Sequence, residues 1–418
     1  MNPRAYIMHG STRGRHDKGT PVVPLAAGVL PRALMQARVP HALVTIACAL
    51  LLAAGAGHAD PPPVDWRWTE GAPGGGRWSP LTDINRDNVA ALRVAWTYRH
   101  GDVYDGGWGP DYVNKGTAFE ATPLVADGRL LFSTPYDRVI ALDPESGREL
   151  WTFDPHLDRQ RRFANMLISR GVAYWDGGDA KTPCARRVFV GTLDARLIAL
   201  DAVTGKACPE FGSDGAVDLI AGLEPMVDPW EYAVTSPPTV VGDVVVVGSS
   251  IADTLRRVAP PGDVRAYDAR TGRLRWTFHT IPHPGEVGHE TWEHGSWQNA
   301  GAANVWSTIT ADLERGLIFL PVSTPSPDFD GADRPGANLF SDAVVALRAA
   351  TGELVWHFQT VHHDLWDYDL AAPPVLARIQ HDGQPRDVVV QATKTGFVFV
   401  LDAETGVPVF PVEERAVP

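Results

Sequence analysis

The sequence is poor in cysteine and lacks a motif for attaching haem. Three cysteines occur in 418 residues, and no CxxCH is found, which excludes covalently bound haem. Helical periodicity is absent over any long window. No apolar run after residue 59 approaches the length of a transmembrane helix. These absences exclude a mainly helical fold and a membrane span in the chain beyond residue 59.

The first 59 residues are typical of an export signal. Two arginines precede the apolar run 42–54, and small residues follow as far as Ala59. This order describes a secretory signal peptide that is cleaved near Ala59. Translation from Met35 would give a signal of ordinary length and leave an upstream extension, whereas a buried N-terminal helix is the alternative. We expect a periplasmic or secreted protein whose mature chain is residues 60–418.

The charge that remains after cleavage limits the partners of the protein. Residues 1–59 contain six Lys or Arg and one Asp, so the other 359 residues carry 31 basic and 49 acidic side chains. The resulting formal charge of −18 argues against nucleic acid or anionic lipid as a partner. Cys184 and Cys208 remain, and an even pair in an exported chain is compatible with a disulfide or with two free buried thiols.

One short pattern recurs five times and indicates a repeated fold. Each copy is an apolar strand, a turn that is usually rich in Asp and closes on a glycine, and a second strand, with the glycines at Gly147, Gly205, Gly272, Gly352 and Gly406. Three copies place a Trp four residues later, at Trp151, Trp276 and Trp356. The glycine spacings of 58, 67, 80 and 54 residues suit four-stranded blades with variable loops. We therefore predict an all-β fold, a β-propeller with about five blades, rather than unrelated hairpins in a sandwich.

Charged residues stand in strand-like surroundings at four places. They are the segment HHDLWDYDLAAPP from His362, Lys394 before an apolar strand, Glu120 in FEATP, and Arg170 in SRGVAYW. A single such residue is more often on the surface than in a site. Their occurrence on successive blades indicates a shared axial site, because the inner strands of a propeller all face one channel.

Longer motifs carry a resemblance to a known family. The opening DW…SPLTDINRDNVAALRVAWTY, FEATPLV, RGVAYW, TSPP, GAANVWS, TVHHDLWDYD and TKTGFVFVLD resemble the quinoprotein dehydrogenases, in particular the branch that includes glucose dehydrogenases. These are secreted eight-bladed propellers that use pyrroloquinoline quinone (PQQ). The resemblance covers residues 65–418. It implies that about five blades are present and that the chain is truncated at its C-terminal end by about three.

The resemblance also implies the residues that contact PQQ, a flat ortho-quinone with three carboxylates. Trp306 is the expected ring platform, although it could instead be one more packing Trp. Arg170 and Lys394 would pair with the carboxylates and the quinone oxygens. The remaining expected hydrogen-bonding contacts are Glu120, Thr235 and Ser250.

A divalent metal and a catalytic base follow from the same resemblance. Calcium, or magnesium in its place, would be held by Asp253, Thr324 and Asp367, although the methanol-oxidising branch has Asn where this chain has Thr324. Asp367 is the expected base, because it precedes Lys394 by 27 residues as in the family. Its rivals are Asp364 and Asp369, and His362 or His363 could face the substrate.

The expected function is therefore a periplasmic PQQ-dependent dehydrogenase. It would oxidise a hydroxyl of a sugar or polyol, glucose-like, with catalysis by Asp367 and Lys394. Without a haem motif, the electron acceptor would be ubiquinone or a separate cytochrome. The alternatives are a non-catalytic propeller scaffold of the outer-membrane assembly type and an inactive fragment.

Overall fold

The structure, a computed structural model, describes residues 65–104, 116–159, 161–225, 228–252 and 256–415. The predicted signal peptide and Asp253 lie outside these residues. Short 3₁₀ helices occur at Val89–Ala91, Pro229–Glu231, His289–Thr291 and Glu293–Gln298. Within the described ranges, no helix has the length and apolar character needed to cross a membrane.

Antiparallel sheets make up the described chain, four with four strands and one with three. The first is β2 (Leu124–Ala126), β3 (Arg129–Ser133), β4 (Val139–Leu142) and β5 (Glu149–Phe153). The second is β7 (Ala173–Asp176), β8 (Arg186–Gly191), β9 (Arg196–Asp201) and β10 (Ala216–Asp218). The third is β12 (Thr239–Val241), β13 (Val244–Val247), β15 (Val264–Asp268) and β16 (Leu274–Phe278). The fourth is β17 (Thr310–Asp312), β18 (Leu317–Pro321), β19 (Ala343–Arg348) and β20 (Leu354–Gln359). The fifth is β21 (Val375–His381), β22 (Gln384–Ala392) and β23 (Val398–Asp402).

Two short strand pairs connect these sheets. One is parallel and joins β1 (Thr117–Phe119) to β6 (Leu167–Ser169). The other is antiparallel and joins β11 (Tyr232–Ala233) to β14 (Ser250–Ile251). An Asp-Gly hairpin joins β2 to β3, where Asp127 and Gly128 have φ of 53° and 69°. Positive φ at both central residues matches the twist of a two-residue hairpin.

Each sheet packs face to face on its neighbours in the manner of propeller blades. Val188 and Val190 of β8 join a core cluster with the first sheet, whereas Phe189 between them joins a cluster with the third. Since neighbouring residues of a strand point to opposite faces, one blade serves two interfaces. Similar clusters join the third sheet to the fourth and the fourth to the fifth. The predicted β-propeller with about five blades is confirmed.

Four tryptophans pack on the turn glycine of the blade that follows them in the chain, Trp96 from the opening segment and the other three from a preceding blade. A Cβ atom built on the glycine would lie 2.4–2.7 Å from the indole in the pairs Trp96–Gly147, Trp151–Gly205, Trp276–Gly352 and Trp356–Gly406. These indole Nε1 groups donate to backbone carbonyls of the same turns, at Pro144, Ala202, Ala349 and Ala403, over 3.0–3.3 Å. The glycines have φ of 68–76°. Both the conformation and the space therefore require glycine.

The junction between the second and third blades differs. Arg187, 3% exposed, donates to Ala269 O at 2.9 Å, the carbonyl that corresponds to the one bound by indole elsewhere. The turn glycine, Gly272, faces the backbone nitrogen of Gly212. The second blade also carries a disulfide between Cys184 and Cys208, with a Cα–Cα distance of 5.8 Å. The sequence allowed a disulfide or free thiols, and the structure has the disulfide.

The segment that begins at Asp65 runs across the inner strands of several blades. Trp66 pairs with Val125 of the first blade. Further along, the carbonyl of Pro73 accepts from Ala311 N of the fourth blade at 2.9 Å, and Gly74 O accepts from Leu376 N of the fifth at 2.8 Å. One short segment reaches all three blades because their inner strands converge on a common axis.

Candidate functional site

The site forms where the chain enters the inner strands of successive blades. Thr122 N donates to Arg170 O at 3.1 Å, and Arg170 N donates to Thr235 O at 2.8 Å. Between the third and fourth blades, the hydroxyl of Ser236 donates to the carbonyl of Trp306. These bonds connect the entry segments of the first four blades in order. Side chains that are far apart in sequence are thereby brought to one end of the axis.

Arg170 contacts three of the other predicted cofactor residues. Its Nε lies 3.0 Å from Glu120 Oε2, and its Nη1 donates to Thr235 Oγ1 at 2.7 Å. Its Cζ is 5.1 Å from the ring centre of Trp306. Burial lowers the pKa of the Arg170 guanidinium, and Glu120 opposes that shift. The result is a half-buried cation beside an indole, a combination that suits a flat anion.

Lys394 forms the second part of the site. Its Nζ lies 3.1 Å from Asp367 Oδ1 and 2.9 Å from Asp369 Oδ2. Trp306 Nε1 donates to the same Asp369 oxygen at 3.2 Å. Asp369 therefore joins the lysine cluster to the arginine cluster, and the two form one network. We call the network of Glu120, Arg170, Thr235, Trp306, Asp367, Asp369 and Lys394 the axial cluster.

The electrostatics within the axial cluster favour proton transfer at Asp367. Burial raises the pKa of Asp367 to about 6, the negative charge of Asp369 adds to the shift, and Lys394 opposes it. For Lys394, burial acts to lower the pKa, but the carboxylates of Asp369 and Asp367 outweigh it and the pKa is raised. The lysine is therefore charged. Asp367 combines an accessible carboxylate, 36% exposed, with a basicity above that of an ordinary Asp.

Thr324 lies behind the axial cluster among further carboxylates. Its backbone N–H donates to Asp369 Oδ1 at 2.8 Å. Its Oγ1 is 2.9 Å from Asp342 Oδ1 and 2.7 Å from Asp364 Oδ2. One hydroxyl proton cannot serve both carboxylates. Burial, together with the charges of Asp364 and Asp369, raises the pKa of Asp342 well above its ordinary value, so a protonated Asp342 can supply the second proton.

The remaining predicted residues have other partners. Ser250 Oγ accepts from Asn165 Nδ2 at 2.6 Å. His362 Nδ1 lies 2.7 Å from Glu414 Oε1, and His363 Nδ1 lies 2.9 Å from Gly336 O. The roles of these residues stay predictions, as does the metal role of Asp253, which lies outside the described residues.

Three functional features were missed by reasoning from the sequence. Asp369 was considered only as a rival base, although it connects Lys394, Trp306 and Thr324. Asp342 and Arg334, both buried, were not considered at all. They lie in the connection between β18 and β19, which has no counterpart in the repeat. The only available signal was a run of charged residues in a Pro- and Gly-containing loop, SPDFDGADRPGAN.

The chain is similar to known proteins over most of its length. Residues 66–418 match the family described as PQQ: glucose/ethanol/alcohol dehydrogenase, beta-propeller domain. Quinoprotein glucose dehydrogenase A of Acinetobacter calcoaceticus is 37% identical over 372 residues, with 85% of this chain and 45% of that protein covered. The glycerol dehydrogenase large subunit of Gluconobacter oxydans is 38% identical over 347 residues, with 82% and 45% covered.

A solved structure gives the same result for the fold. Quinohemoprotein alcohol dehydrogenase from Comamonas testosteroni superimposes with a TM-score of 0.69 at 31% identity, covering 85% of this chain and 49% of that one. The chain thus spans about half the length of the relatives that it matches.

Proposed function

Since this chain belongs to the PQQ-using glucose, ethanol and alcohol dehydrogenase β-propeller family, we propose that it supplies the active site of a dehydrogenase for sugar or polyol hydroxyls. The observation that carries the proposal is the axial cluster. It places an indole, two cations and an accessible carboxylate of raised pKa on the converging ends of inner strands. Relatives named for glucose and glycerol support a glucose-like or polyol substrate.

The residues of the axial cluster fit PQQ by their chemistry. Trp306 offers an aromatic face, and Arg170 lies beside it, 5.1 Å from the ring centre, as a partner for a carboxylate. Glu120 and Thr235 hold Arg170 in place from two sides. Lys394 would pair with the quinone oxygens. When bound, PQQ supplies the acceptor for the hydride that leaves the substrate carbon.

Asp367 is the residue that would move a proton. Its carboxylate would accept the proton of the substrate hydroxyl, and its raised pKa makes it a better acceptor than an ordinary Asp. Lys394, 3.1 Å from Asp367 Oδ1, stabilises the ionised form before the reaction. Lys394 also donates to the backbone carbonyl of Asp367 at 2.9 Å, which fixes the loop that carries the base.

A divalent cation fits the excess of carboxylates in this region. Lys394 and Arg334 contribute two positive charges near the carboxylates of Asp364, Asp367 and Asp369 and the protonated Asp342. Carboxylate and hydroxyl oxygens are the donors that Ca²⁺ prefers, and Mg²⁺ takes the same kind of donor. Asp367, with Asp253 and Thr324, would hold the ion. It would polarise the substrate hydroxyl beside the base.

The location and the electron acceptor complete the proposal. The signal-like residues 1–59 support export to the periplasm or beyond. Relatives named as a quinone-linked quinate/shikimate dehydrogenase and as a quinohemoprotein alcohol dehydrogenase support ubiquinone or a cytochrome as the electron acceptor.

The test combines cofactor binding with one substitution. We expect the chain to bind PQQ in the presence of Ca²⁺, to release it on chelation, and to oxidise members of a sugar and polyol panel with an artificial electron acceptor. Asp367→Asn should lower kcat by about 10²–10⁴-fold and leave PQQ binding in place. Asp382→Asn is the matched control, because Asp382 also has positive φ (51°, against 57° for Asp367) but lies in the exposed turn between β21 and β22.

Two results would contradict the proposal. Failure of the chain to bind PQQ with Ca²⁺ present would favour a scaffold over an enzyme. An Asp367→Asn variant that keeps the kcat of the Asp382→Asn control would remove Asp367 from the mechanism.

A further inference from the structure

Arg334 is the bulkiest fully buried side chain of the described residues. Its exposed fraction is 2%, and burial lowers the pKa of its guanidinium. Its Nη2 donates to the backbone carbonyl of Asp364 at 2.5 Å, and its Nη1 donates to Asn338 Oδ1 at 3.0 Å. A buried cation is costly unless its bonds serve the structure around it. Here they join the loop 326–338 to the segment that carries Asp367.

Asp364 is also buried, with 1% exposed, and its carboxylate accepts hydrogen bonds from backbone amides. Oδ1 accepts from Trp366 N at 3.0 Å, and Oδ2 accepts from Tyr368 N at 2.7 Å. These two amides lie on either side of Asp367 in the chain. The intervening residue, Asp367, has φ of 57°, a conformation that an L-residue seldom adopts without support.

Further contacts stabilise the loop 326–338 and its packing against the segment that carries Asp364 and Asp367. Asn338 Nδ2 donates back to Arg334 O at 2.9 Å. A Cβ atom built on Gly331 would lie 2.6 Å from His363 Nε2, so the loop 326–338 packs directly against the residue before Asp364. The contacts therefore run from Arg334 through Asp364 to the backbone of Asp367.

We infer that Asp364 and Arg334 are positioning residues that set the backbone of Asp367, and that Asp364 is not a second base. The inference rests on the proposed role of Asp367. Asp364 acts by binding the amides before and after Asp367, and Arg334 acts by binding the carbonyl of Asp364. A base must meet the substrate, and Asp367, 36% exposed, can do so whereas Asp364 cannot.

The first test measures hydrogen exchange of the Trp366 and Tyr368 amides in the chain without cofactor. Asp364→Asn replaces one accepting oxygen by an amide nitrogen, so at least one of the two amides should exchange about 10- to 100-fold faster. Arg334→Gln should accelerate both, and Arg334→Lys should recover part of the protection. Asp330→Asn is the control, since Asp330 is exposed on the same loop and its Oδ1 accepts from Ala332 N within that loop.

This readout does not depend on activity, so it separates the inference from the proposed function. Unchanged exchange of both amides in Asp364→Asn would overturn the inference even if the enzyme assignment is correct. Should Asp364→Asn fail to fold, Arg334→Lys and Arg334→Gln decide the matter. Equal exchange in those two variants and in the native chain would likewise overturn it.

The second test uses the PQQ-loaded, Ca²⁺-containing protein. Asp364→Asn and Arg334→Gln should lower kcat about 10- to 100-fold with KM and PQQ affinity nearly unchanged, because the base is present but displaced. Arg334→Lys should recover part of kcat. A rise in KM without a fall in kcat would contradict a positioning role. Activity absent from the native chain would count against the proposed function and leave the exchange result valid.

Discussion

The junction between the second and third blades contrasts with four other contacts, which are the three other junctions between successive described blades and the junction of the opening segment with the first blade. The difference shows what a junction needs. At four junctions an indole Nε1 bonds a turn carbonyl, and the indole covers the turn glycine. At the fifth, Arg187 bonds the corresponding carbonyl of Ala269, and Gly212 fills the space over Gly272. What all five share is a donor for that carbonyl and a glycine in the turn. The tryptophan is one way to provide the donor.

The largest effect is expected from removing an indole. Trp276→Ala empties a site that is 8% exposed between the third and fourth blades, and leaves Ala349 O without its donor. We expect a loss of about 3–5 kcal/mol in the free energy of unfolding, measured by urea denaturation. Trp78→Ala is the control, because Trp78 is 74% exposed and should change stability little. Equal losses in both variants would mean that the junction does not depend on the ring.

A smaller loss of stability is expected from removing the disulfide of the second blade. Cys184 and Cys208 are 24 residues apart, and closing a loop of that length stabilises by about 3 kcal/mol in the chain-entropy model. The double variant Cys184→Ala, Cys208→Ala should lose about that amount in thermal or urea unfolding. A reducing agent should destabilise the native chain and leave the double variant unaffected. A native chain insensitive to reduction would show that the disulfide contributes no stability.

Arg187→Met directly tests the hydrogen-bond donor at the junction between the second and third blades. The methionine leaves an apolar side chain beside Phe211 and Trp175 but removes the bonds to Ala269 O, Arg270 O and Cys184 O and the ion pair with Glu210. An unsatisfied buried carbonyl costs about 1–3 kcal/mol, so we expect a loss near 2 kcal/mol, below that of Trp276→Ala. Arg187→Lys should lose less than Arg187→Met. If the two variants unfold at the same urea concentration, the donor is unimportant and packing alone maintains the junction.

The smallest effect is expected from Asp268, the carboxylate in the glycine turn of the third blade. Burial would raise the pKa of Asp268, but Arg275 and Thr271 outweigh it and lower the pKa to about 2. A lowered pKa stabilises the fold above the unfolded value of about 4, and this contribution disappears as the pH falls to 2. Asp268→Asn should remove up to about 1 kcal/mol at neutral pH and flatten stability between pH 4 and 2. Arg348→Asn is the control, because the fourth turn has Arg348 where the others have Asp, and its pH dependence should match that of the native chain.

The repeat was predictable from the sequence because its signals are local. Each turn is recognisable from an Asp or Arg, a glycine and a following strand, all within about ten residues. The contact of Trp276 with Gly352 was not predictable in the same way, since ring and glycine belong to different copies of the pattern. Arg187 gave no signal, because nothing in its strand shows that it replaces an indole.

The site was predictable only where its residues adjoin the repeat or a family motif. Asp367 and Lys394 were predicted together because they keep the base-to-lysine spacing of the family that the chain resembles, and their side chains lie 3.1 Å apart. Arg334, Asp342 and the connecting role of Asp369 depend on how one non-repeating loop folds against another. No periodicity or spacing encodes that contact. These buried charges become interpretable only when their partners are known.

The pairing of Trp276 with Gly352 has a consequence for how such a chain can change over evolution. Ring and glycine are contributed by adjacent blades, and the same two halves recur at several boundaries. A recombination event that joins equivalent points of two blades would therefore again place a glycine turn beneath an indole. Whole blades could be duplicated or lost with the junctions intact, whereas an event that cuts within a blade would separate strands of one sheet. The natural unit of inheritance in this molecule is therefore the complete blade, with its own turn glycine.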